Sequence, residues 1–188
     1  MVNKKDEIKD VQPIRSLEKL EDMKWSLKKW CGDRDYILFL LGINTGLRVS
    51  DLLNLKISDI KGKKKLAIKE GKTEKPRTIH LNNIYDELKD YIDKLQGTEW
   101  LFPSRKGDKP ISRIQAYRQL NKASDMVDMP DGIGTHTMRK TFGYWHYKQF
   151  KDVAELQVIL NHSHPDITLK YIGITEEEIE NNLMNFKL

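Results

Sequence analysis

The sequence predicts a single α+β domain that is mostly α-helical and has one small antiparallel β-sheet. Its 188 residues are enough for one domain with a hydrophobic core. Most segments combine apolar residues at roughly helical spacing with a capping residue in front of them. Only the segments Leu66–Ile68 and Arg77–Leu81 have the length and residue types typical of short β-strands, and a turn-rich link joins them. These two runs predict the sheet.

Helices fill the first third of the chain. Ser16 can cap the first of them, and the continuous apolar run 36–41 predicts that the second is buried. Gly46 is a plausible stop for that second helix. The predicted helices span about 16–29, 33–45 and 49–54.

Helices also dominate the second half. Asn82 or Asn83 can cap a helix that runs to about Leu95, and an apolar stretch, Trp100–Pro103, precedes a polar loop. A capping box of Thr175 and Glu178 predicts a last, acidic helix. The four helices between them are predicted near 111–126, 135–149, 152–161 and 165–172.

Three regions follow from this pattern. Residues 1–14 are polar and predict a loose N-terminal arm, and residues 15–174 form the domain. Residues 175–188 predict a tail helix with one apolar face, which can pack on its own domain or on a neighbouring subunit.

Composition restricts the classes of protein. The longest apolar stretch, Tyr36–Ile43, is too short to cross a bilayer, so no membrane partner is expected. The polar start does not read as a signal peptide. Cys31 is the single cysteine, which fits a reducing compartment and predicts a cytoplasmic protein.

Positive charge is concentrated in one segment. The whole chain has a formal net charge of +5, but residues 56–77 alone carry eight lysines and one arginine against three acidic residues. Such a patch predicts contact with nucleic-acid phosphates, although a solvated lysine-rich hairpin is the plainer alternative. The candidate DNA-binding residues are Lys63, Lys64, Lys65, Lys75 and Arg77.

Two local patterns suit a phosphate. Arg48 lies between the Gly46 stop and a short helix, where backbone N–H groups and a planar guanidinium favour anions. His136 and Arg139 are spaced i, i+3 and share a helix face. A surface arginine and a half-buried histidine are the plainer readings of these positions. Asp51, three residues after Arg48, can hold a guanidinium or imidazole, or simply favour the helix dipole.

The remaining candidates are His162, Tyr171 and Lys72. Tyr171 lies among apolar residues, so a core tyrosine is the plainer reading, and Lys72 begins the link between the two strands. A zinc site built from His136, His146, His162 and His164 lacks the spacing of known zinc motifs, so no metal is predicted.

Taken together, these sequence motifs resemble those of the catalytic domain of the tyrosine recombinases, the phage-integrase family that includes Xer-type and Cre-type enzymes. Residues 45–52, Thr-Gly-Leu-Arg-Val-Ser-Asp-Leu, look like the family's first box, with Asp51 where many members carry Glu. His136-Thr-Met-Arg139 matches its His-x-x-Arg box. Residues 160–163, Leu-Asn-His-Ser, resemble Leu-Gly-His-Ser, and Tyr171 takes the nucleophile position.

The resemblance implies roles for these residues. Tyr171 would attack DNA to form a 3′-phosphotyrosyl link, while Arg48 and Arg139 stabilise the phosphate. Lys72 would protonate the leaving oxygen, His136 would assist proton transfer and His162 would bind the phosphate, with Asp51 in support. No cofactor is implied. The expected enzyme is a bacterial or phage-encoded, nucleoid-associated recombinase, a monomer when free and a tetramer on double-stranded DNA.

Larger members of the family carry an N-terminal core-binding domain that closes a clamp around DNA, whereas only about fifteen residues precede the first helix here. A single domain of a longer enzyme and a minimal enzyme are both compatible with this. Two other functions remain open: strand cleavage without synapsis, as in type IB topoisomerases, and a catalytically idle DNA-binding module that regulates.

Overall fold

The computed structural model describes residues 11–69, 71, 76–129, 132–174, 180 and 183–187. Over these residues the chain is mostly helical with one two-stranded antiparallel sheet, so the predicted fold class is confirmed. The described helices are α1 (Leu17–Ser26), α2 (Asp33–Thr45), α3 (Val49–Leu53), α4 (Ile57–Ile60), α5 (Tyr85–Lys94), α6 (Arg113–Asp125), α7 (Thr137–Phe150), α8 (Val153–Leu160) and α9 (Pro165–Ile172).

The sheet consists of β1 (Lys65–Lys69) and β2 (Pro76–His80). Their register pairs Leu66 with Ile79, and both of these side chains are buried, whereas Lys65 pairs with His80 on the exposed face. The lysines of β1 therefore face solvent because alternate residues of a strand point to opposite faces.

Helix α2 lies at the centre of the main core, and seven consecutive residues from Tyr36 to Gly42 are buried. This confirms the burial that its apolar run predicts. It packs closely on α7, because a Cβ added at Gly42 would come within 2.7 Å of the Met138 sulfur. Glycine thus sets the distance between the two helices that frame the candidate site.

A second, smaller cluster joins α7, α8 and α9. Its buried members are Tyr144, Leu156, Leu160 and Ile172. A Cβ at Gly143 would lie 2.6 Å from Ile172, so α9 rests almost directly on the backbone of α7. This contact sets the distance between α9 and α7.

Three local features differ from the sequence-based expectation. The first helix is regular only to Ser26 and continues as a π-helical segment, Leu27–Cys31, which explains the imperfect helical spacing of its apolar residues. The short helix α4 is too brief to give a periodic signal. The predicted loose arm is wrong for residues 11–14, because Val11, Pro13 and Ile14 are buried against the domain.

The tail helix predicted for 175–188 lies largely outside the described residues. Of the part that is described, Leu183, Met184 and Phe186 are exposed. Among the described helices none is long and apolar enough to span a bilayer.

Candidate active site

The site begins where α2 ends. Gly46 caps α2 in the left-handed region, with φ of 63°, so the predicted helix stop is confirmed. Two residues later Arg48 stands in extended conformation at the start of α3 and is half-buried. The turn between the helices brings Arg48 close enough for its charge to act on His136, His162 and Tyr171.

Arg139 is the buried centre of this site. Its side chain lies on the first turn of α7, only 3% of the residue is exposed, and its two terminal nitrogens donate to the carbonyls of Gly46 and Leu160, both at 2.6 Å. These two carbonyls end α2 and α8, so one guanidinium ties three helices together. A cation near helix C-termini is also favoured by the helix dipoles.

Tyr171 on α9 points toward this guanidinium. Its hydroxyl is hydrogen-bonded by Arg139, and the Nδ1 atom of His136 lies 3.4 Å from the same oxygen. The Lys140 ammonium lies 5.4 Å from the Tyr171 ring centroid. A phenol, an imidazole and a guanidinium therefore meet at one oxygen atom.

His162 packs against the phenol ring of Tyr171. The His162 and Tyr171 rings meet edge to face with their centroids 5.0 Å apart. Its Nδ1 atom lies 3.0 Å from the Oγ1 atom of Thr168, which is fully buried on α9. Asn161 before it adopts a left-handed conformation, with φ of 53°, at the end of α8, and this turn brings His162 back toward α9.

The charges of these groups act on one another. Burial, together with the positive charges of Arg139 and Arg48, lowers the pKa of His162 from the usual imidazole value to about 4. The pKa of His136 is lowered by burial, and by Arg113, Arg139, Lys140 and Arg48. Burial raises the pKa of Tyr171, while Arg139 and Arg48 act in the opposite direction. At neutral pH both imidazoles are therefore neutral and the phenol is protonated.

Asp51 makes a contact other than the predicted one. Its Oδ1 atom accepts a hydrogen bond from the backbone N–H of Gly71, at 3.2 Å, and its buried Oδ2 atom has no hydrogen-bond partner among the residues that the structure describes. The carboxylate is thus attached to the link between β1 and β2 rather than to a guanidinium or imidazole. It fixes the backbone immediately before Lys72.

Lys72 and Lys75 lie outside the described residues. Of the other basic candidates, Lys65 is exposed on β1. The Lys63 ammonium donates a hydrogen bond to the Ser58 carbonyl at 2.8 Å. The Lys64 ammonium lies 5.7 Å from the centroid of the Tyr85 ring. Arg77 is half-buried and donates to the Thr45 carbonyl at 2.6 Å. This last contact connects β2 to the end of α2, next to Gly46.

Two residues of the site are absent from the sequence-based set. Thr168 orients His162, and no local pattern marks a buried threonine of this kind. Arg113 donates to the Thr135 hydroxyl at 3.3 Å and lowers the pKa of His136. An arginine at the start of a helix opposes the dipole, and this is a signal that could have identified it. Among the described residues no three His, Cys, Asp or Glu side chains gather as metal ligands.

Comparison with known proteins gives a consistent result. The model of the Phage integrase family matches residues 20–178. The chain is 50% identical over 169 residues to the probable integrase/recombinase YoeC of Bacillus subtilis, covering 89% of this chain and 92% of that protein. It is 30% identical over 152 residues to tyrosine recombinase XerA of Pyrococcus furiosus, covering 78% of this chain and 52% of XerA.

Solved structures share the fold. A crystal structure of XerA recombinase superposes with a TM-score of 0.77 at 20% identity, over 95% of this chain and 68% of that one. XerH recombinase bound to its difH substrate, in a post-cleavage complex, gives 0.73 at 22% identity, over 94% and 54% of the two chains. The chain therefore belongs to the phage integrase family and has the fold of the tyrosine recombinase catalytic domain.

Proposed function

We propose that this chain is a site-specific DNA recombinase that cuts and rejoins DNA through a 3′-phosphotyrosyl intermediate. The observation that carries the proposal is the meeting of Tyr171, His136 and Arg139 at the phenol oxygen. A core tyrosine needs only one partner for its hydroxyl, whereas this one lies beside a neutral base and a buried cation. The family relationship supports the same activity.

Charge stabilisation comes from the two arginines. Arg48 and Arg139 bind the nonbridging oxygens of the scissile phosphate and stabilise the charge that develops as the pentacovalent state forms. Arg139 is fixed by two backbone carbonyls, so its charge is already oriented before DNA arrives. Preorganised charge of this kind is usually the largest single contribution to catalysis.

Proton transfer follows from the protonation states. The Tyr171 hydroxyl gives its proton to His136, whose lowered pKa keeps the ring neutral at neutral pH, so that Nδ1 accepts the proton when the ring is protonated on Nε2. The phenol oxygen then forms a bond to phosphorus, the bond from phosphorus to the 5′-oxygen breaks, and Lys72 supplies the proton to that oxygen. Rejoining is the reverse reaction, so neither ATP nor a metal ion is required.

His162 acts on the phosphate. Its Nδ1 atom lies 3.0 Å from the Thr168 hydroxyl. With that hydroxyl as the donor, the neutral ring carries its proton on Nε2 and donates it to a phosphate oxygen. Asp51 acts through Gly71: it fixes the link that carries Lys72. This role differs from the one that sequence alone predicts.

Double-stranded DNA is the proposed partner. The exposed residues of the basic segment, Lys63, Lys64 and Lys65, together with Lys75 and Arg77, supply the contacts to phosphates, and their removal should weaken binding to all sequences alike. XerH was solved with a DNA substrate and lambda integrase as a dimer on a core site. We propose that this chain likewise assembles on DNA, as a tetramer on two sites, and that it is a monomer when free.

The tail is proposed to mediate that assembly. Leu183, Met184 and Phe186 are exposed, and an acidic helix gains little by lying on DNA. In this proposal the tail, 175–188, docks on a neighbouring subunit. Deleting residues after Gly173 should then leave single-site binding unchanged and abolish cooperative assembly.

A trapping experiment tests the function without knowledge of the target site. The protein is incubated in excess EDTA with nicked duplexes of randomised sequence, and adducts that survive denaturation are captured and sequenced. A recombinase yields adducts enriched in one sequence, whereas an idle DNA-binding module yields none. A two-site assay on the selected sequence then separates a recombinase from a topoisomerase-like enzyme, which cuts but does not exchange strands.

A further inference from the structure

Residues 11–15 form a strap that lies against the helices of the active site. The Ile14 backbone N–H donates to the Thr141 hydroxyl at 2.9 Å, and the Trp145 indole N–H donates to the Ile14 carbonyl at the same distance. Thr141 and Trp145 belong to α7, and the first of these bonds is buried. A Cβ at Gly134 would lie 2.5 Å from Val11, so the strap also packs on the backbone two residues before His136.

The strap ends at Arg15, which reaches α9. Its guanidinium donates to the Gly173 carbonyl at 2.8 Å and lies 5.6 Å from the centroid of the Tyr144 ring. Gly173 ends α9 in the left-handed region, with φ of 75°, and a Cβ there would lie 2.5 Å from the Arg15 nitrogen. The cation therefore lies at the negative end of the helix, where a charge-assisted bond is favourable.

We propose that Arg15 is a positioning residue for Tyr171, and this inference rests on the proposed function of Tyr171 as the nucleophile. Tyr171 lies two residues before Gly173 on a helix of only eight residues. So short a helix is not stable alone, and its last turn frays unless something holds it. Arg15 holds that turn through its hydrogen bond to the Gly173 carbonyl. The rest of the strap is anchored on α7, which carries Arg139 and begins directly after His136.

The geometry predicts a specific kinetic effect. Loss of Arg15 frees the last turn of α9 and lets the Tyr171 hydroxyl move relative to the phosphate. A misplacement of about 1 Å costs up to about 100-fold in rate. Contacts to DNA do not include this arginine in the proposed mechanism, so affinity stays unchanged. A role in folding alone would instead change stability and leave the rate at saturation intact.

The test compares Arg15→Ala and Arg15→Lys with a matched control. Lys19→Ala removes another cation next to the strap, one that also donates to a backbone carbonyl, that of Val127 at 3.1 Å, but is on α1. Adduct formation is measured in single turnovers on a selected nicked duplex with protein in saturating excess. DNA affinity, thermal unfolding and hydrogen exchange of the α9 amides are measured on the same proteins.

We expect Arg15→Ala to slow adduct formation by about tenfold or more, with DNA affinity within about twofold of the original. Amides of residues 169–174 should exchange faster, and Arg15→Lys should recover part of the rate because an ammonium can still donate to the Gly173 carbonyl. Lys19→Ala should match the original protein in rate and in α9 exchange.

Two results overturn the inference alone, and a third overturns the proposed function as well. If the original protein forms adducts and Arg15→Ala forms them at the same rate, the inference fails while the proposed function stands. If α9 exchange is unchanged in a folded Arg15→Ala variant, Arg15 does not hold the helix whatever the rate. Absence of adducts from the original protein would refute the proposed function itself, and the inference with it.

Discussion

His162 and Thr168 lie 3.0 Å apart, from the Nδ1 atom to Oγ1, which is within hydrogen-bond distance. Thr168 is fully buried and three residues before Tyr171, so both side chains lie on the same part of α9. The helix that carries the candidate nucleophile thus also contacts the residue that we propose binds the phosphate.

Replacing Thr168 with valine keeps the shape of the side chain and removes its hydroxyl. A single net hydrogen bond is worth about 0.5–1.5 kcal/mol, so single-turnover cleavage should fall by about two- to tenfold. Thr168→Ser keeps the hydroxyl and should cleave faster than Thr168→Val. Equal rates for the valine variant and the original protein would show that the contact does not orient His162.

Acid should destabilise the protein through its two depressed histidines. The pKa of His162 falls to about 4 on folding, so between the ordinary imidazole value of about 6.5 and pH 4 the unfolded chain binds more protons than the folded one. Stability is complete above that window and is lost as pH falls through it. His136 contributes in the same direction.

Urea unfolding of the original protein and of His162→Gln from pH 7.5 to 4.5 measures this contribution. The difference between the two isolates His162 from the carboxylates that titrate over the same range. The original protein should lose more stability than the variant across the window. Parallel curves would contradict the depressed pKa.

Gly46 supports the site by its conformation and its lack of a side chain. Its φ is 63°, its carbonyl accepts from Arg139, and an added Cβ would overlap the Phe142 ring. Left-handed conformation costs about 1–2 kcal/mol for alanine, and overpacking adds about 1–3 kcal/mol. Gly46→Ala should therefore lose about 2–5 kcal/mol of unfolding free energy.

Gly62 provides the matched control. Its φ is 73° and an added Cβ meets nothing within 4 Å, so Gly62→Ala carries only the conformational cost. Urea unfolding should show a clearly larger loss for Gly46→Ala. Equal losses at the two positions would mean that Phe142 moves away without cost.

Lys72 is proposed as the acid that protonates the leaving 5′-oxygen. A sulfur at this bridging position leaves as a thiolate and needs no proton. Lys72→Ala should therefore slow cleavage of ordinary DNA by about 100-fold, within the range for general acids, and slow the sulfur-substituted DNA far less. The same defect on both substrates would remove Lys72 from this role.

Much of the helix order could be predicted from sequence, because it depends on local signals. Capping residues and apolar spacing placed α6, α8 and α9 within one or two residues of their ends, and Gly46 marked the end of α2. The π-helical segment after Ser26 was not predictable, because its wider turn disturbs the helical spacing of the apolar residues without giving a recognisable pattern of its own. Four-residue α4 has no period at all.

The site was predicted only in part, because its supporting contacts are distant in sequence. Arg139 and Tyr171 belong to recognisable sequence motifs, but the two backbone carbonyls that accept hydrogen bonds from Arg139 lie 93 and 21 residues away from it in the sequence. The same holds for Arg15 and Gly173, which are 158 residues apart. Asp51 was identified as a supporting residue, yet its partner, a backbone N–H twenty residues on, has no signature in sequence.

The central claim is that the Tyr171 hydroxyl attacks DNA. Peptide mapping of the adduct trapped in EDTA should find the nucleotide on Tyr171. Tyr171→Phe removes one oxygen and keeps the ring that packs on His162, so it should bind the same duplex with unchanged affinity and form no denaturation-resistant adduct. An adduct formed by Tyr171→Phe, or one mapped to another residue, would contradict the account.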